Sequence, residues 1–475
     1  MLESRYDTIL SAQKSLLMKD DTTRQSVLFE ELVDKALYVK FDQPDSSSDG
    51  GALLLKAADA RLDLTAALAH CLKDRRHPEM ITHSYLDLVR QRVFGMACGY
   101  EDCNDAARLV SDPMHRLLLD RDPIEGAELA SQPTLCRFEN VIDVRSMDRM
   151  ASELADRVVE RHKKRLGGHV RKITIDMDPT DDPTYGQQQL SFYNSHYGNW
   201  CYLPVACFLT FNDEPDQYLF AYVLRPGDAH ASYGAIAIMQ RMVKRLRKAF
   251  RRAAIHVRLD GGFAAPEVFD YLEQEKLKYV VAIGNNSVLQ GFAEPLMKKA
   301  RRDSRHSGVT EHHYGECQYM AGSWDTERRI IFKSEVVRHP GREPRDNPRF
   351  VVTNLNSGAQ HIYEKIYCLR GCIENRIKEL LYGLQIDRTS CTKFLSNQFR
   401  VLLCAAAYVL MQEIRLKASR TSLANAQVTT LREKLFKQAV WLEKSTRRFV
   451  LHMPDSAPWR IDWCQIARQL GAVPL

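Results

Sequence analysis

KITIDMDPTDDPTYG, running from Lys172 to Gly186, opens as a strand and closes on a run of acids. Ile173, Ile175 and Met177 alternate with Thr174, Asp176 and Asp178, the period of two that puts successive side chains on opposite faces. Just upstream, RLGGH breaks a helical stretch after Lys164. Downstream, Trp200 to Phe211 and Tyr218 to Leu224 are rich in aromatic and β-branched residues and read as two further strands. A helix follows, with Ile236, Met239, Val243, Leu246 and Phe250 on its apolar face. Ile255 to Leu259 is a strand, Pro266 to Glu275 a helix, and Tyr279 to Ile283 a strand. Three antiparallel-looking strands, then helix, strand, helix and strand, predict a mixed α/β core built on one sheet.

Outward from that core the pattern changes twice. Leu86, Val89, Val93 and Met96 recur at three- and four-residue steps, so the chain before it reads as helical. After Asn285 the text becomes basic, with KKARRDSR, TERRIIFK and RHPGREPR, and predicts an insertion rather than a linker. Val351 to Asn354 is again strand-like, and helices are expected over most of the chain beyond it. The predicted organisation is a helical region over 1–140, a first core part over 141–284, a basic β-rich insertion over 285–350, a second core part over 351–412 and a helical region over 413–475.

Composition removes several classes. With 475 residues, 45% hydrophobic and 27% charged, the chain can bury sizeable cores and is neither disordered nor fibrous. The net charge of +7 is compatible with nucleic acid but does not establish it. Twelve cysteines without a C-x-x-C pair argue for free thiols rather than a disulfide scaffold. MLESRYDTIL carries no apolar secretory core, and the longest apolar run, Val401 to Met411, is short for a bilayer, so a cytoplasmic, membrane-free protein is expected. Neither a P-loop nor a glycine-rich dinucleotide fingerprint occurs, and no nucleotide cofactor is expected.

Three acidic positions fall at element ends. Asp176 and Asp178 share one face of a strand, and Asp260 ends the strand IHVRLDGGF, where two glycines allow a sharp turn. Glu374 lies on one helical stripe with Tyr367, Arg370 and Lys378. Hard carboxylate ligands of this kind suit paired Mg²⁺ ions acting on phosphate. Taken singly, each acid reads as well as a turn or cap residue or as half of a surface ion pair. Basic side chains for a DNA backbone are Arg241, Lys244, Arg245 and Lys248 on the helix after the third strand, with a plain solvated face as the alternative, and Arg328 and Arg329 in the insertion. Trp324 offers a ring for base stacking or for a core. His312, His313 and Cys317 have loose zinc spacing, but no second cluster completes four ligands.

At these residues the chain resembles the group-one DDE transposases of bacterial insertion sequences. The resemblance is carried by GYEDCNDAARLVSDP (Gly99 to Pro113), LASQPTLCRFEN (Leu129 to Asn140), DMDPTDDPTYGQQ (Asp176 to Gln188), YLPV (Tyr202 to Val205), RPGDAH (Arg225 to His230), RLDGGF (Arg258 to Phe263), TNL (Thr353 to Leu355) and YCLRGCIENRIKELLYGLQIDRTSC (Tyr367 to Cys391). These blocks follow family order across nearly the whole chain. The resemblance implies a ribonuclease-H-like catalytic core interrupted by an insertion, with the acidic triad on Asp178, Asp260 and Glu374, spaced by 82 and 114 residues. Asp176 stays open as an alternative first ligand; Asp178 is preferred because Thr180 follows it by two, as in the family pattern. Tyr367, Arg370 and Glu374 match a tyrosine-arginine-glutamate signature. The wider signature has a lysine seven residues after the glutamate, where this chain carries Leu381, and Lys378 is the nearest substitute.

The function so implied is binding of terminal inverted repeats, by the 1–140 region with help from the insertion and Arg432 to Arg448, followed by cleavage and strand transfer into target DNA. Two Mg²⁺ ions, with Mn²⁺ as a substitute, and a homodimer on DNA in the bacterial nucleoid belong to the same expectation. The competing readings are a DNA-binding regulator that no longer cuts and a structure-selective nuclease on the same fold.

Overall fold

The computed structural model describes residues 27–29 and 32–474. The opening of the expected 1–140 region therefore lies outside the described residues.

The alternating stretch forms β1 (Lys172–Pro179), followed by β2 (Val205–Phe211), β3 (Tyr218–Val223), β4 (Ala254–Leu259) and β5 (Lys278–Ile283). Three further strands come later: β6 (Glu311–Tyr319), β7 (Arg328–Val337) and β8 (Arg349–Thr353). They share one sheet in the order β6-β7-β8-β5-β4-β1-β2-β3, with a two-residue strand, Arg345–Asp346, off β7. β1, β2 and β3 run antiparallel, and β4 and β5 lie parallel to β1 and to each other. This is the ribonuclease-H-like arrangement, extended beyond β5.

Both faces of the sheet are covered, which is why its inner strands are apolar on both sides. The helices α1 (Tyr85–Ala97), α2 (Val144–Leu166), α3 (Ala235–Ala249), α4 (Pro266–Gln274), α5 (Ser287–Ser307), α6 (Gly371–Lys378) and α7 (Phe394–Lys417) supply most of the cover. On one face Ile173, Ile175, Met177, Val257 and Leu259 pack with Met239, Val243 and Leu246 of α3, Phe269 and Leu272 of α4, and Leu289 and Met297 of α5. On the other, Ala206, Phe208, Leu219 and Tyr222 join a core made by α1, α7 and the ends of the chain. α7 is long and apolar enough to cross a bilayer, but 83% of its apolar window is buried inside the fold.

The basic interval 285–350 begins with α5, and its β6 and β7 continue the central sheet through β8, which pairs with β5. The physical reason lies in β7, where Ile330 and Phe332 face one core and Ile331 the other, so the strand needs cover on both sides despite its basic neighbours. The 413–475 region is not wholly helical. Val440–Ser445 and Arg448–His452 form a hairpin that pairs with Ser46–Ser47, tying the end of the chain to its beginning.

His256 sits in β4 opposite Lys278 of β5, and its pKa is pushed down to about 4 by burial first and then by Lys172, Lys278 and Arg258. In the unfolded chain the imidazole takes a proton near its ordinary value of about 6.5, whereas the folded protein resists until about pH 4. Its contribution is thus fully present above pH 6.5 and is lost as pH falls towards 4. His256→Asn is expected to make the fall of the urea midpoint between those pH values shallower than in the wild type; parallel profiles would show that His256 does not resist protonation.

Candidate active site

β4 pairs with β1 so that Arg258 lies beside Asp176 and Leu259 beside Met177. That register is an offset of 82, the same spacing that separates Asp178 from Asp260, so continuing it by one residue sets the two aspartates side by side at the C-terminal ends of neighbouring parallel strands. The carboxyl ends of strands, at the point where the strand order reverses, are where open α/β sheets place their ligands, and here that point lies between β1 and β4. Asp260 caps the short turn Gly261–Phe263, accepting a hydrogen bond from the Gly262 amide at 2.9 Å. Gly262 has to be small: a Cβ there would stand 2.6 Å from that of Ala231.

The third acid comes from a helix of uneven winding. Ile362–Tyr367 is a π turn, Cys368–Arg370 a 3₁₀ turn, α6 is regular, and Glu379–Gly383 is again a π turn. Changes of this kind recur at functional sites because they re-aim side chains. Ile373, Ile377 and Leu380 sink into the core, leaving Glu374 and Lys378 exposed on the other side. One turn before Glu374, Arg370 reaches across: its Nη1 lies 3.3 Å from Asp178 Oδ1 and its Nη2 3.8 Å from Asp260 Oδ2. Tyr367 stacks at a tilt on Tyr363, with ring centres 5.5 Å apart.

The charge balance is uneven. Burial is the main cause that pushes the Asp178 pKa up to about 7; Arg370 pulls it down, and the fields of Asp260, Glu374 and Asp176 push it up again. Arg370, one turn before Glu374, is the geometric link between that helix and the two strand ends, since it reaches both Asp178 and Asp260. The donor set is carboxylate oxygen throughout, the chemistry of a Mg²⁺ or Mn²⁺ site, and the guanidinium already stands between two of the acids as a cation would. With Arg370 there, the acids do not close into a tight cluster. Among the described residues, the group whose ligand atoms lie within 4.8 Å of one another is the buried Asp49, Cys98 and His115. There Asp49 is already engaged by His115 at 2.9 Å and Lys437 at 2.8 Å, so a cationic group occupies the position.

Asp176 stands one pleat below Asp178 and is fully buried. Both of its oxygens are taken by Arg258, whose Nε donates to Oδ1 at 2.7 Å and whose Nη2 donates to Oδ2 at 2.6 Å. This bidentate pairing engages Asp176 with the neighbouring strand β4. Sequence reasoning had no role for Arg258; the signal was the repeat of the 82-residue offset, which sets the Arg of R-x-D beside the first Asp of D-x-D.

The expected DNA-binding side chains divide. Trp324 is only 9% exposed, walled in by Phe269 and Tyr319 with the Arg328 guanidinium 5.0 Å from its ring centre, so it has no open face for a base. Arg328 is buried and committed to Asp270 and Glu273. Arg329 is held by Glu316 and the carbonyls of Leu355 and Ser357. On α3, Arg241 pairs with Asp148 at 3.1 Å and Arg245 with Asp156 at 2.9 Å, both from α2, while Lys244 and Lys248 are exposed. His312 and His313 are neighbours on β6 and so face opposite ways, and His313 bonds Asp303 at 2.9 Å, which breaks up the loose zinc pattern.

Compared with known families, residues 29–474 match the model for the transposase DDE domain, group 1. No curated protein matches the chain.

Proposed function

We propose that this chain, which belongs to the group-one family of DDE-domain transposases, binds the terminal inverted repeats of a mobile element and cuts and rejoins DNA at the site built by Asp178, Asp260 and Glu374. One observation supports the reading: Arg370, one turn before Glu374, reaches Asp178 at 3.3 Å and Asp260 at 3.8 Å, at the ends of two paired parallel strands. Those three side chains would hold the divalent ions, two Mg²⁺ with Mn²⁺ as a substitute. When bound, such ions help generate the attacking oxygen and stabilise the leaving one.

The chain's own groups do the rest. Arg370, now shared by Asp178 and Asp260, is the donor fork best situated for a phosphate oxygen, because a planar guanidinium exchanges one pair of acceptors for another without losing its geometry. Lys378, exposed one turn after Glu374, adds positive charge beside the strand. Lys244 and Lys248 are the basic residues of α3 best able to meet a DNA backbone at a distance. Binding should weaken steeply with salt as these cations release counterions. A homodimer bringing two element ends together completes the reading and comes from the family rather than from a surface of this chain.

An incubation of the protein with a labelled terminal-repeat duplex, Mg²⁺ and a target plasmid tests it. Joined product is the expected result. Nicking without joining would favour a structure-selective nuclease, and binding without cutting a regulator.

A further inference from the structure

We propose that the buried Arg258–Asp176 pair is the positioning element that sets the distance between the Glu374 helix and the two aspartates. The inference rests on the transposase reading of the site and concerns how that site is held, since neither residue is placed to touch DNA or an ion.

The observations converge on one guanidinium. Two of its nitrogens are forked onto Asp176, and the third, Nη1, donates to the Ile366 carbonyl at 3.0 Å. Ile366 belongs to the π turn Ile362–Tyr367, eight residues before Glu374. Arg258 therefore touches all three elements that bear the acids: it sits on β4 two residues before Asp260, it grips β1 two residues before Asp178, and it holds the helical segment that leads to Glu374. The backbone ladder already fixes β1 against β4 through residues 172–177 and 254–259. It does nothing for the helix, whose segment Ile362–Tyr367 is bound to β4 through this side-chain bond.

Stability alone is a poor reason for the pair. Taking two charges out of water costs about as much as their attraction returns, and well-packed apolar residues often serve as well. What a planar five-donor fork provides is direction, and groups that orient metal ligands commonly change metal affinity or activity by about 10–100-fold when altered.

The test uses the full chain, MnCl₂ as the probe for the ion site, and a random-sequence duplex as the probe for the DNA surface. Arg258→Lys keeps a charge for Asp176 but cannot serve the Ile366 carbonyl at the same time. The double variant Arg258→Met/Asp176→Leu removes both buried charges together and so avoids leaving one unpaired. Both are expected to melt cooperatively near the wild-type temperature and to bind the duplex within about twofold of wild type, while Mn²⁺ affinity by electron paramagnetic resonance falls by about 10–100-fold. A folded variant with wild-type Mn²⁺ affinity overturns the proposal, and if the double variant does not fold, Arg258→Lys alone decides by the same criterion. Wild-type protein that binds no Mn²⁺ would instead overturn the reading of the site itself.

Discussion

Asp260→Asn is expected to reduce strand cleavage by about a thousandfold or more while duplex binding stays within about twofold of wild type; a thousandfold corresponds to about 4 kcal/mol of transition-state stabilisation. The substitution is nearly isosteric, and an asparagine oxygen can still accept the Gly262 amide, so the turn after β4 keeps its cap. What disappears is one negative charge at the strand end and one of the two acidic partners of Arg370. Single-turnover cleavage of a labelled terminal-repeat duplex, run beside a gel-shift titration, separates the two effects. Undiminished cleavage would remove Asp260 from the mechanism, and lost binding would make it a DNA contact rather than an ion ligand.

The second large effect is on stability and lies far from the chemistry. Arg92 on α1 is wholly buried; its Nε donates to Glu139 at 2.8 Å, and its Nη1 and Nη2 donate to the carbonyls of Asp102 and Glu101 at 3.1 and 2.9 Å. Arg92→Met should cost about 3–5 kcal/mol, because it strands the buried Glu139 carboxylate and leaves two part-buried carbonyls without this donor. Arg400, 3.8 Å from Glu139, tempers the loss and favours the lower end of that range. The double variant Arg92→Met/Glu139→Leu should recover a large part of it. Urea midpoints with slopes held equal report both, and a single-variant cost below about 1 kcal/mol would mean that water or Arg400 already satisfies Glu139.

The site and the fold were legible to different depths. A strand with strict alternation, such as Ile173 to Asp178, declares itself because the pleat repeats every two residues, and the 82-residue spacing of the aspartates turns out to be the β1–β4 register written in the sequence. The Arg258–Asp176 pair was hidden because a charged residue on a strand reads as solvent-facing until the opposite layer is known. For 285–350, composition spoke louder than pattern: the arginines around TERRIIFK drew attention away from an apolar run that is buried on both faces in β7. The basic surroundings of Trp324 suggest a surface ring, yet one of those charges, Arg328, closes it off. The hairpin near the end of the chain has buried Val440 and Leu442 at a spacing of two, a short signal whose partner strand, Ser46–Ser47, lies almost the full chain away.

α7 has a consequence for synthesis. Its 24 residues run through a core that includes Leu54 and Val93 near one end of the sequence and Ile466 near the other, and the sheet leans on it through Phe208 and Tyr222. A ribosome that has already delivered every strand of the sheet has not yet delivered α7, so the core behind the sheet can close only afterwards. Fragments cut off before Phe394 should behave as insoluble debris rather than as competing DNA binders.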